Sequence, residues 1–158
     1  MDPSLESKEK VKQRALEFLR GQNIMVVSTV SDSGEPQAAT VYYVADENFN
    51  IYFMTSLKSR KCENLHSNSK IAFVMGTGPE VITVQGGGEV EKLDEHEANI
   101  FYALIEKIAL KSPWQFPLIL IAKEGFCTFR IRPKWMVWLN FQKDRYPDIA
   151  SKEFHKII

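Results

Sequence analysis

The residues Asn50-Ile51-Tyr52-Phe53-Met54-Thr55-Ser56-Leu57-Lys58-Ser59-Arg60-Lys61 decide the fold of this chain and carry its first chemical signal. An apolar, β-prone run passes directly into hydroxyl groups and three cations, where a helix is predicted to begin. A helix N-terminus offers backbone N–H groups without intrahelical partners and the positive end of the helix dipole. Hydroxyls and a guanidinium placed there can surround a phosphate with charge-assisted hydrogen bonds. The same pattern also describes a solvated basic helix start, so both interpretations stay open.

The length and composition of the chain indicate one compact domain over residues 1–158. A chain of 158 residues, 44% hydrophobic and 25% charged, is in the range of a single globular unit that buries a core. The formal net charge is zero, so no general field attracts nucleic acid or an anionic membrane. We therefore expect neither partner, and any anion site must be local.

The two cysteines, Cys62 and Cys127, are too few for a disulfide scaffold and form no C-x-x-C pair. They are predicted to be free thiols in a reducing cytoplasm. The polar start of the chain, residues 1–12, argues against a signal peptide, and no apolar run approaches the length of a membrane span. No metal site is expected, because the histidines lack ligand-like spacing: His66, His96 and His155.

Apolar spacing and capping residues predict three helices. The first runs from a Ser4 cap to Gly21, and the second, over residues 58–67, is short and polar with Leu65 inward. The third begins after Asp94, carries one apolar stripe and ends at Ser112-Pro113. These stripes indicate helices that each bury one face against a core.

The remaining segments predict an antiparallel barrel. Predicted strands cover residues 24–30, 37–44, 51–54, 71–75, 81–91, 126–131 and 135–141. Their short connections are typical of antiparallel neighbours. Gly86-Gly87-Gly88 predicts a bulge, a bend or a close approach to the backbone, and Pro133 predicts a strand break. Residues 114–122 are predicted as loop or short strand, and the polar tail beyond residue 143 as a loosely held arm. The fold class is therefore mainly β with flanking helices.

Several pieces of this order together resemble the pyridoxamine 5'-phosphate oxidase-like family. They are the turn Gly34-Glu35-Pro36, then Phe53-Met54-Thr55-Ser56, Ser59-Arg60-Lys61 and Asn64-Leu65. The resemblance is densest over residues 24–76 and continues more weakly to Trp138. It implies the family's fold, the FMN-binding split barrel.

The resemblance also implies FMN as the cofactor. Arg60 and Lys61 would bind its phosphate with Ser59 beside them, and Met54 and Thr55 would contact the flavin through backbone and hydroxyl. Further residues would line the ring: Thr40, Val41 and Tyr42 along its edge, Thr83 or Gln85 at the position of the family's glutamine, and Trp138 as a late-strand tryptophan that the family supplies from the partner subunit. Because that cofactor lies across a dimer interface, a homodimer is implied.

Departures from the family pattern affect the substrate. The family's arginine and lysine on the strand after the proline are replaced by Ala39 and Val44, and residues 138–141 contain neither arginine nor histidine. A vitamin B6 phosphate is therefore not the expected substrate. The resemblance, with these departures, implies an FMN-dependent oxidoreductase acting on a small planar or quinone-like molecule. The alternative is a flavin-, deazaflavin- or haem-binding protein without specific turnover.

Overall fold

The computed structural model describes residues 3–76, 78–79, 82–109, 125–141 and 154–158. Residues predicted as Ser112-Pro113 and as the 114–122 segment lie outside these ranges. The helices and strands are α1 Pro3–Gly21, β1 Ile24–Val30, β2 Pro36–Ala45, β3 Ile51–Ser56, α2 Arg60–Ser67, β4 Lys70–Met75, β5 Ile82–Lys92, α3 Glu95–Ala109, β6 Phe126–Asn140 and β7 His155–Lys156. None of these helices has both the length and the apolar character needed to cross a bilayer.

Strands β1 to β6 form a closed antiparallel barrel. The sheet order is β3-β2-β1-β4-β5-β6-β7, and β3 also pairs with β6, which closes the ring. Alternate side chains of each strand point into the barrel and fill its interior. In β1, for example, Met25 and Val27 are buried, while Val26 between them is partly exposed. This confirms the prediction of a mainly β antiparallel barrel with flanking helices.

The barrel separates along one seam between β2 and β3. These strands pair at Tyr43↔Phe53, Val44↔Tyr52 and Ala45↔Ile51. The first part of β2, residues 36–42, is registered with β1 and not with β3. The C-terminal end of β3 therefore diverges from β2, and β3 pairs there with β6.

Helix α2 covers this separated end. The Asn64 Nδ2 atom donates to Thr29 Oγ1 at 2.9 Å and to Gln37 Oε1 at 3.1 Å, which ties the helix to β1 and β2. On its other side, the Sγ atom of Cys62 contacts that of Cys127 on β6. Because both its polar and its apolar contacts are buried, α2 has a fixed place on the barrel.

Helix α3 packs on the outer face of the barrel. Its predicted apolar stripe is confirmed for Ala98, Phe101 and Ile105, which are buried. They form a second hydrophobic cluster with barrel residues whose side chains point outward: Val44, Tyr52, Leu93 and, partly buried, Tyr42 and Met54. The outer surface of β2 and β3 is therefore covered in this region.

Three details of the sequence prediction are wrong. Helix α1 begins at Pro3, so Ser4 lies within it; proline is tolerated there because the first helical N–H has no partner. Pro133 does not break β6. Proline has no backbone N–H to donate, and a β-bulge opposite Gly87 and Gly88 accommodates it within the strand. The last residues are not a loose arm, since Ile157 is buried and donates its N–H to the Met136 carbonyl at 2.8 Å.

The triple glycine on β5 is required by close approaches, as the sequence predicted. A Cβ atom at Gly86 would overlap the Phe73 ring, one at Gly87 would overlap the Trp135 indole, and one at Gly88 would overlap backbone atoms at Arg132 and Pro133. Two of these neighbours are side chains that can shift. The neighbour of Gly88 is backbone, which cannot move without breaking the ladder.

Gly88→Ala is expected to lower the free energy of unfolding by about 1–3 kcal/mol, the usual cost of forcing extra atoms into a packed site. Gly21→Ala is the matched control, because nothing lies within 4 Å of a Cβ there. Alanine is also favoured over glycine in helices by up to about 1 kcal/mol. Urea unfolding followed by circular dichroism measures both; equal stability of Gly88→Ala and the parent would contradict the assignment.

Candidate functional site

The turn between β3 and α2 is held by hydroxyl groups. Ser59 is the N-cap of α2, and its Oγ accepts from the Cys62 N–H at 3.2 Å. The Oγ1 of Thr55 lies 2.8 Å from the same Ser59 Oγ. The Ser59 N–H donates to the Ser56 carbonyl at 3.0 Å. Ser59 therefore shapes the turn, and the structure brings it together with Thr55, another residue that the sequence predicted for the site.

Three cations surround this capped helix end. Lys58 and Arg60 are exposed and Lys61 is half-buried. Within the described part of the chain, no carboxylate forms an ion pair with any of them. By contrast, three cations of β6 each pair with a glutamate of β5: Arg130 and Arg132 with Glu91, and Lys134 with Glu89.

Unbalanced positive charge at a helix N-terminus suits an anion. The first N–H groups of α2 have no intrahelical acceptor, and the helix dipole adds to the charge of Arg60 and Lys61. Net charge is zero over the whole chain, so this is a local concentration of positive charge. A phosphate placed here would gain charge-assisted hydrogen bonds from both side chains and backbone.

A second group of predicted residues lies on the outer face of the barrel. The register places Thr40 beside Val26, Val26 beside Val74, and Val74 beside Gln85. These four positions form one row across β2, β1, β4 and β5. Gln85 also lines a shallow, mostly apolar groove of about 390 Å³, with Trp135 at its border. The row and the groove together offer a surface for a planar group.

Thr83 shares the outward face of Gln85, because the buried Val84 lies between them. Its Oγ1 atom is buried and has no hydrogen-bond partner within the described residues. A buried hydroxyl without a partner costs about 1–3 kcal/mol, so such an atom suggests a missing acceptor or donor. This position therefore fits a residue that bonds a ligand.

The side chains of the other residues predicted near the ring take part in packing. Tyr42 and Met54 pack against the cluster under α3, and Val41 points into the barrel core. Trp138 is 0% exposed, and its ring stacks on Phe18 of α1 at a centroid distance of 6.0 Å. A side chain buried in its own core does not fit a residue that reaches the cofactor of a partner subunit.

Trp135, near the β-bulge of the same strand, is an aromatic residue that faces outward. It is 46% exposed, and its indole lies over Gly87. The sequence contained a signal for it, since a glycine opposite a tryptophan allows close contact across a strand pair. Pairing across β5 and β6 was needed to connect the two residues.

At the two positions that depart from the family pattern, Val44 and Ala39 contribute to packing. Val44 is 5% exposed and lies in the cluster under α3 with Tyr52 and Phe101. Ala39 is half-buried and pairs with Val27 at the separated end of the barrel. Neither site holds a cation, and Val44 could not be replaced by one without burying its charge.

Two tyrosines near these strands are structural. Burial raises the pKa of Tyr43, whose hydroxyl donates to the Leu19 carbonyl at 2.7 Å. Burial and the Asp46 carboxylate raise the pKa of Tyr52, whose hydroxyl lies 3.0 Å from that carboxylate. Both remain protonated at neutral pH and serve as hydrogen-bond donors.

Comparison with known proteins identifies the family. The model of the family described as pyridoxamine 5'-phosphate oxidase matches residues 11–136. The chain belongs to this family. A pyridoxine/pyridoxamine 5'-phosphate oxidase of Alcanivorax borkumensis is 31% identical over 106 residues, which cover 65% of this chain. The aligned region spans 49% of that relative. The sequence-based resemblance to the pyridoxamine 5'-phosphate oxidase family is confirmed.

Solved structures share the fold of the pyridoxamine 5'-phosphate oxidase family with this chain. A putative pyridoxamine 5'-phosphate oxidase from Listeria innocua superimposes with a TM-score of 0.64 at 17% identity, covering 82% of this chain and 98% of the other. A heme binding protein from Mycobacterium smegmatis superimposes with a TM-score of 0.66 at 14% identity, covering 92% and 56%. At these identities, the similarity extends to the fold.

Proposed function

We propose that this protein binds FMN, with the phosphate at the turn between β3 and α2, and acts as an oxidoreductase. The observation that carries the proposal is the set of three cations around the Ser59-capped start of α2, none of which pairs with a carboxylate among the described residues. Membership of the pyridoxamine 5'-phosphate oxidase family supports FMN as the source of that phosphate.

Arg60 and Lys61 would hold the phosphate, together with the free N–H groups of the first helical turn. Ser59 positions the turn, and the Thr55 hydroxyl supports Ser59. The Arg60 guanidinium offers several donors in a plane, whereas the Lys61 ammonium contributes a compact charge. The two residues therefore differ in function, and neither is needed to keep α2 capped.

The flavin ring would lie along the outer row of β2, β1, β4 and β5. Thr40 and Gln85 lie in this row, and the Thr83 hydroxyl, which has no hydrogen-bond partner in the part of the chain that the structure describes, is on the same face. Bound FMN supplies hydride and electron transfer. The chain's contribution would be to hold and orient the ring and to exclude water from it. The apolar groove beside Trp135 supports a small planar or quinone-like substrate.

A homodimer is part of the proposal. Large apolar side chains on the outer surface include Ile24, Trp135 and Phe141, each more than 40% exposed. Such a surface favours burial against another molecule. A second copy placed there would cover the row of ring-lining residues and shield a bound flavin from water.

Haem or a deazaflavin is the alternative occupant, with binding and no specific turnover. The haem alternative is supported by the fold that this chain shares with the heme binding protein of Mycobacterium smegmatis. Haem carries carboxylate groups that a basic turn can also bind. The three cofactors have distinct absorption bands, so spectroscopy separates them.

One experiment tests both parts of the proposal. The purified chain is incubated with FMN, with riboflavin, which lacks the phosphate, or with haem. Each mixture is passed through a size-exclusion column with absorbance and light-scattering detection. We expect FMN to elute with protein of twice the chain mass of 18.2 kDa, and riboflavin to be left behind. Equal retention of both flavins would contradict the phosphate site. A monomer that retains FMN would contradict the dimer, and retention of haem alone would favour the alternative.

A further inference from the structure

Two sulfur atoms are in contact beneath the turn between β3 and α2. The Sγ atoms of Cys62 and Cys127 lie 2.7 Å apart, although the residues are 65 positions apart in sequence. Cys62 is in the first turn of α2 and Cys127 is near the start of β6. Both residues are free thiols and both are buried. The fold therefore places the two cysteines of the chain side by side.

We propose that Cys62 and Cys127 form a redox-active dithiol that a hydroperoxide oxidises reversibly to an intramolecular disulfide. A disulfide bond is about 2.05 Å long, so the sulfur atoms need to approach by less than about 1 Å. The contact joins two different elements, α2 and the barrel, and oxidation would fasten them covalently. This proposal does not depend on the assignment of FMN.

The reaction balances with hydrogen peroxide as the oxidant. The Cys62 sulfur attacks one peroxide oxygen and the O–O bond breaks, which gives a Cys62 sulfenic acid and one water. The Cys127 sulfur then attacks the Cys62 sulfur, and the second water leaves with the Cys127 proton. Two thiols have lost two electrons and two protons. A small dithiol reductant restores both thiols by exchange.

The surroundings distinguish the roles of the two thiols. Burial and the adjacent Cys62 raise the pKa of the Cys127 thiol to about 12, and its Sγ lies 3.5 Å from the Thr55 carbonyl as a donor. Cys127 therefore stays protonated, which suits the resolving thiol. Cys62 lies in the first turn of α2, the short element whose local opening admits an oxidant, and it is therefore the attacking thiol.

Peroxide can reach Cys62 from the side of α2. The exposed His66 lies one helical turn further, with its Nδ1 atom 3.7 Å from the Cys62 Sγ and 2.6 Å from the Cys62 carbonyl. Local opening of the short helix α2, at a free-energy cost below that of global unfolding, would expose the buried Cys62. Such opening admits a molecule as small as hydrogen peroxide without unfolding the barrel.

The test is peroxide treatment of the reduced full chain in native buffer, followed by thiol alkylation and mass spectrometry. We expect a mass lower by two hydrogen atoms, loss of both alkylatable thiols, and recovery of both after dithiothreitol. Cleavage after lysine and arginine places Cys62 in peptide 62–70 and Cys127 in peptide 124–130. These two peptides should be found linked.

Cys127→Ser and Cys62→Ser are the control variants, and neither can form the intramolecular bond. Cys127→Ser should stop at an oxidised Cys62 that gains oxygen, whereas Cys62→Ser should react slowly at its buried Cys127. The parent in concentrated urea loses the proximity and should form less of the linked peptide pair. The proposal is overturned if the native parent keeps both thiols, forms disulfides between chains, or gains oxygen irreversibly. These readouts use the parent itself, so a variant that fails to fold leaves the test intact.

Discussion

Arg60→Ala is expected to weaken FMN binding by about 1.5–3 kcal/mol, which is the range for hydrogen bonds to charged groups. This corresponds to roughly a 10- to 150-fold increase in the dissociation constant. The Arg60 side chain is exposed and forms no ion pair with the described residues, so its removal should not affect the fold. Flavin fluorescence titration measures the affinity. Adding Lys61→Ala should weaken binding further, because both side chains act on the same phosphate.

Two controls isolate the phosphate contact. Arg20→Ala removes an exposed arginine in the last turn of α1. The FMN affinity of this variant should equal that of the parent. Riboflavin lacks the phosphate, so Arg60→Ala should leave its affinity unchanged. If Arg60→Ala binds FMN as tightly as the parent, or loses riboflavin to the same extent, the turn does not hold the phosphate.

The second prediction concerns turnover. The FMN-loaded protein is expected to oxidise pyridoxamine phosphate and pyridoxine phosphate no faster than free FMN does. A phosphorylated substrate brings a second dianion close to the first, and repulsion must be offset by added cations. Val44 is buried under α3 and Ala39 is half-buried, so neither position supplies one. Arg130, a candidate substitute, is already paired with Glu91 and Glu97.

The assay incubates the protein aerobically with each vitamer and follows pyridoxal phosphate and peroxide. Photoreduction of the bound flavin and its reoxidation in air serve as the positive control for a working cofactor. Turnover at ordinary enzyme rates, about 1 per second or faster, would restore the narrower activity named for the relatives of this chain. It would also require a phosphate-binding cation that the described residues do not offer at these positions.

Much of the candidate site could be predicted from sequence because it is local. Ser59, Arg60 and Lys61 follow β3 within a few residues, and capping depends on neighbours along the chain. The apolar stripe of α3 and the alternation of β1 are likewise set by helix and strand periods. The close approaches at Gly86, Gly87 and Gly88 were predicted as a class, although their partners were not.

Other parts of the site required contacts between distant segments. The row from Thr40 to Gln85 exists because β1 and β4 lie between β2 and β5. Similarly, the covering of Tyr42 and Met54 depends on where α3 packs. Strand pairing and helix placement are set by the whole core, so a single segment does not encode them.

The two tryptophans of β6 show where sequence alone stops. By itself, the sequence determined an antiparallel barrel, a capped basic turn and a strand near Trp135 and Trp138. Which tryptophan faces outward depends on the β-bulge opposite Gly87 and Gly88. Before the bulge Phe129 and Ile131 point inward, and the extra residue shifts the alternation so that Met136 and Trp138 are buried and Trp135 is exposed. Tertiary structure decided this, because one inserted residue reverses the two faces of a strand and its position is fixed by the neighbouring strand.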